Sequence, residues 1–66
     1  MDRNKQEIGV FNRSQAAQFA GVSAPTFDEW LRREGFPAFK SGRRWIIPRE
    51  PFIRWMEEQA QRRAQL

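Results

Sequence analysis

The segment from Asn12 to Gly35 constrains the fold more than any other part of this 66-residue chain. Asn12 is a good helix N-cap, and Gln15 follows three residues later in capping-box register. Ala16, Ala17, Phe19 and Ala20 then give a short helix from about Arg13 to Ala20 a small apolar face. Gly21 supplies a left-handed stop. Val22 reads as a buried turn residue, and Ser23 caps a second helix with Pro25 in its first turn, where a missing N–H is harmless. Phe27, Trp30 and Leu31 fall at i, i+3, i+4 and define its core face, and Gly35 ends it with Pro37 just beyond. Two short helices joined by so tight a turn form a helix-turn-helix, a geometry whose second helix fits the DNA major groove.

The next segment adds a second device. Ala38-Phe39-Lys40 and Arg44-Trp45-Ile46-Ile47 read as two short strands around the basic turn Ser41-Gly42-Arg43. Alternation along the second strand places Trp45 and Ile47 on the inward face, and Pro48 closes it. A third helix runs from about Arg49 or Glu50 to about Arg62, with Phe52, Trp55, Met56 and Gln59 as its inner stripe. The expected architecture is mainly α with a small β-hairpin: a winged helix-turn-helix of three helices and one two-stranded wing. Residues 8–62 form this domain, with Ile8, Val10 and Phe11 as a lead-in that packs on it. Residues 1–7 form a flexible N-terminal tail, and residues 63–66 a frayed C-terminus.

Charge points the same way. The net charge is +4, and its excess lies in residues 32–49, where Arg32, Arg33, Lys40, Arg43, Arg44 and Arg49 face a single acid, Glu34. Cationic charge gathered at one helix end and a hairpin is the footprint expected for phosphate binding. There is no Cys or His, which removes disulfides, thiolate metal sites and the commonest acid/base group. The carboxylates Asp28, Glu29, Glu34, Glu50, Glu57 and Glu58 lie on helix faces without a cleft to perturb them, so no enzyme, cofactor, metal or small-molecule substrate is expected. No apolar run approaches the roughly 20 residues of a membrane span, and a cytoplasmic, nucleoid-associated protein is the default.

Several features together resemble the small winged helix-turn-helix proteins of the excisionase family, which are related to the DNA-binding domain of MerR-type regulators. They are Ser14-Gln15-Ala16-Ala17, Gly21-Val22-Ser23, Trp30-Leu31-Arg32-Arg33-Glu34-Gly35, Pro37-Ala38-Phe39-Lys40, Gly42-Arg43-Arg44-Trp45-Ile46-Ile47-Pro48 and Phe52-Ile53-Arg54-Trp55, spread over roughly residues 11–57. The resemblance implies a second helix in the major groove and a wing on the adjacent backbone or minor groove. It implies double-stranded DNA as partner, with an integrase or further copies of the chain beside it. The implied role is recombination directionality or transcription regulation in a phage or mobile element. A different class of role, the DNA-recognition part of a phage terminase small subunit or similar assembly, fits the same domain. The chain departs from the family pattern at Asp28 and Glu29, where uncharged or basic residues suit phosphate proximity better.

Residue by residue, the candidate recognition surface is Ala24, Pro25, Thr26, Asp28, Glu29, Arg32 and Arg33. Thr26 is placed to touch a thymine methyl or donate a hydrogen bond, and Glu29 to accept from cytosine N4, while Arg32 and Arg33 suit phosphates. The acids have a competing reading, in which Asp28 pairs with Arg32 and Glu29 with Arg33 at i, i+4 and both simply face water. The candidate wing surface is Lys40, Ser41, Gly42, Arg43 and Arg44, against the plainer reading of a solvated turn, and Arg13 and Ser14 at the start of the first helix are further candidate DNA contacts. The aromatics Phe19, Phe27, Trp30, Phe52 and Trp55 read as core, rather than as stacking platforms for single strands, with Phe36 and Phe39 partly exposed.

Overall fold

A computed structural model describes residues 9–64. The elements in chain order are β1 (Val10–Phe11), α1 (Arg13–Ala20), α2 (Ala24–Leu31), β2 (Phe39–Ser41), β3 (Arg44–Pro48) and α3 (Arg49–Ala64). The expected tail and Ile8 lie outside the described residues, as do the last two residues; α3 itself runs past Arg62 to Ala64.

The capping box forms as its residues dictate. The Gln15 N–H donates to Asn12 Oδ1 at 2.7 Å, and the Asn12 N–H donates to Gln15 Oε1 at 2.9 Å. Gly21 closes α1 at φ 76°, a left-handed conformation that a side chain resists. The Thr26 N–H donates to the Ser23 hydroxyl at 3.3 Å, which caps α2 with Pro25 in its first turn.

Two expectations about the framework change. The sheet has three strands rather than two, ordered β1-β3-β2 and antiparallel throughout. The lead-in is long enough to pair Val10 with Pro48 and Phe11 with Ile47, which makes β3 the central strand. The wing hairpin pairs Phe39 with Ile46, Lys40 with Trp45 and Ser41 with Arg44, so its loop is the two residues Gly42-Arg43, with Gly42 at φ 64° as such tight loops demand. Second, α2 stops at Leu31 instead of continuing to Gly35. The chain leaves the helix at Arg32 and turns through Gly35, at φ 87°, because Phe36 must come down into the core. Phe36 is 8% exposed, against the expectation of partial exposure.

The core is largely aromatic. Phe27, Ile47 and Phe52 are fully buried, with Phe11, Ala16, Ala17, Phe36 and Trp55 around them. The Phe52 ring lies 5.9 Å from Phe27, 5.7 Å from Phe36 and 6.3 Å from Phe11, each edge to face. That arrangement aligns ring edges with ring faces and adds to the burial term. Trp30, Leu31 and Trp45 pack against this cluster while half-buried. Of the inward pair on β3, Ile47 is therefore fully buried and Trp45 only partly so. Phe19 departs from the core expectation: it is 47% exposed, lying on Phe11 at 4.9 Å with the Arg49 guanidinium 5.9 Å above it. Its neighbours Ala16 and Ala17 occupy the inward face of α1, which leaves Phe19 at the rim.

Candidate nucleic-acid interface

The core face of α2 is defined by fully buried Phe27, with Trp30 and Leu31 half-buried beside it. That fixes what the helix shows outward: Ala24, Pro25 and Glu29 are exposed, and Asp28 and Thr26 half-buried. Thr26 holds part of the cap, its hydroxyl oxygen accepting from the Ser23 hydroxyl at 3.1 Å, which leaves its own proton available to donate. Arg32 caps the helix end, and Arg33 lies beyond it with its guanidinium 5.9 Å from the Trp55 ring.

Asp28 is not paired with Arg32. It accepts two hydrogen bonds from Arg13, from Nε to Oδ1 at 2.6 Å and from Nη2 to Oδ2 at 2.8 Å. This is the side-on fork by which guanidinium groups take carboxylates and phosphates. The pair spans from the first residue of α1 to the middle of α2, 15 residues apart. The Arg13 hydrogen bonds hold Asp28 below the ordinary carboxylate value; desolvation opposes them, and the charges of Arg13 and, more weakly, Arg32 act in the same direction as the hydrogen bonds. Arg13 is raised in turn, first by the same hydrogen bonds. Glu29 has no ion-pair partner among the described residues, so the expected Glu29–Arg33 pair is also missing; Arg33, off the helix, points over Trp55 instead. Sequence reasoning missed the Arg13–Asp28 pair because residues 15 apart carry no periodic signal; only the helix crossing brings them together.

The wing is cationic and open. Lys40, Ser41, Gly42, Arg43 and Arg44 are all exposed. Lys40 shares a face of the hairpin with Trp45 and holds its ammonium 5.6 Å from that ring. Arg43 and Arg44 have no carboxylate partner among the described residues, so their charge is uncompensated at the tip. Arg13 and Ser14 also border a shallow cleft with Ala17, Gln18, Val22 and Ala24, between α1 and the start of α2.

A model of the family described as Helix-turn-helix domain matches residues 10–60. The chain belongs to this helix-turn-helix domain family. DNA is the partner that such a domain implies. No curated protein and no solved structure matches the chain. No described helix is long and apolar enough to cross a membrane.

Proposed function

We propose that the protein is a winged helix-turn-helix that binds duplex DNA sequence-specifically, with α2 in the major groove and the β2–β3 hairpin on the adjacent backbone or minor groove. The observation that carries this reading is the pairing of two features on one small core. One is a helix whose outer face exposes Ala24, Pro25 and Glu29; the other is an exposed hairpin tip whose arginines have no carboxylate partner among the described residues. In this reading Ala24, Pro25, Thr26 and Glu29 face base edges, while Arg32, Lys40, Arg43 and Arg44 hold phosphates. The role is binding, and bending of the duplex, without chemistry.

The resemblance to excisionases favours an architectural factor in recombination, or a small transcription regulator, of a phage or mobile element. A module of this size covers on the order of 600–1,000 Å² of protein surface on DNA. An integrase or further copies of the chain beside it would supply the rest of the specificity. The alternative reading is the DNA-recognition part of a terminase-like assembly.

The wing and the helix separate in one experiment. Affinity is measured for a selected site and for a scrambled duplex, each at two salt concentrations. Arg43→Ala with Arg44→Ala weakens both duplexes by similar factors and makes the salt slope shallower by about 1.8, since two phosphate contacts are lost. Thr26→Ala narrows the gap between the duplexes by up to about 1–3 kcal/mol at an unchanged slope. Specificity lost from the wing variant and kept in the Thr26 variant would overturn the assignment of the two elements.

A further inference from the structure

The outer side of the helix-turn-helix and the hairpin tip differ in charge. Around α2, Arg13, Asp28, Glu29 and Arg32 supply two cations and two anions. At the hairpin, Lys40, Arg43 and Arg44 are all cations. The helix side is neutral largely because Asp28 occupies Arg13. Its carboxylate takes both the Nε and Nη2 hydrogens at 2.6 and 2.8 Å, and this fork has the geometry that would otherwise receive a phosphate. Both side chains stay partly open to solvent, 43% exposed for Arg13 and 36% for Asp28, so the pair sits at a surface a duplex can reach.

We propose that Asp28 is a specificity-determining residue that acts as an internal substitute for phosphate, holding Arg13 out of sequence-independent DNA binding. The inference rests on the reading of α2 as the DNA-contacting helix. A protein that finds one site among many gains as much from weakening its grip on random duplex as from strengthening its grip on the right one. Counterion release makes each free arginine beside the backbone add to affinity for every sequence alike. With Arg13 neutralised, the general attraction comes from the hairpin, and contacts along α2 are left to discriminate. Asp28 in this role reads no base; it subtracts one phosphate contact from every duplex. The same arrangement explains why an acid is tolerated in the middle of a recognition helix, since its charge is already matched by an arginine from α1.

The test is the binding of a random-sequence labelled duplex across a series of salt concentrations, by the full chain and by Asp28→Asn and Asp28→Ala, with thermal melts of each. Freeing Arg13 for one phosphate steepens the log–log salt slope by about 0.9 and tightens binding by about eightfold at 0.1 M salt. Glu29→Ala removes an acid from the same helix without freeing an arginine, and gives a smaller gain than either Asp28 variant. In an Arg13→Ala background, Asp28→Asn gives no more than the Glu29→Ala gain. Equal gains from Asp28→Asn with and without Arg13, or no gain from either Asp28 variant in a folded protein, would overturn the proposal while leaving the DNA reading intact. Absence of duplex binding by the wild-type chain at low salt would overturn both.

Discussion

Phe52 is the residue on which the core depends most, and Phe52→Ala tests the packing directly. Its side chain is fully buried, and its ring meets those of Phe11, Phe19, Phe27, Trp30 and Phe36 at centroid distances between 5.7 and 6.4 Å. Truncating a buried Phe costs about 3–5 kcal/mol, and the lost edge-to-face partners place this site toward the upper end. A domain of this size has a total stability of about 3–10 kcal/mol. Each kcal/mol moves the midpoint by about 4–8 °C, so the melting temperature falls by at least about 12 °C. Circular dichroism melts of wild type, Phe52→Ala and Phe39→Ala form the assay. Phe39 is 56% exposed, and its truncation stays within about 0.5 kcal/mol of wild type. A Phe52→Ala melt within a few degrees of wild type would refute the placement of α3 against the helix-turn-helix.

Two further outcomes follow from local geometry. Gly21→Ala meets no atom within 4 Å yet is held at φ 76°, so it loses about 1 kcal/mol from backbone strain alone, read as a lower melting point. Asp28 is depressed in the folded state, so the stability it contributes is present above its unfolded value near 3.8 and is lost as pH falls through the lower folded value. Melts of wild type and Asp28→Asn between about pH 2 and 7 therefore differ at neutral pH and converge in acid; a gap that does not change with pH would rule out this origin.

How much of this was legible in the sequence depends on the range of the interaction. The caps, the Gly21 turn and the buried stripes of α2 and α3 rest on residues within one or two turns of each other, and they form where the pattern places them. What the pattern missed lies farther apart. β1 became a strand only because β3, distant in sequence, offers its free edge, pairing Val10 with Pro48 and Phe11 with Ile47. The end of α2 moved back to Leu31 because Phe36 is drawn to Phe27 and Trp55, a pull that local glycine and proline signals do not carry. Phe19 fits an apolar stripe, yet two alanines take the inward face. At the candidate interface, the exposed hairpin tip was legible from its composition, whereas the Arg13–Asp28 pair required the crossing of α1 and α2.

The central claim is that this domain holds duplex DNA through a small number of phosphate contacts, and a salt titration of a labelled random duplex tests it most directly. Four contacts, from Arg32, Lys40, Arg43 and Arg44, give a log–log slope of about −3 to −4. A flat salt response, or no binding to any duplex at low salt, would contradict it.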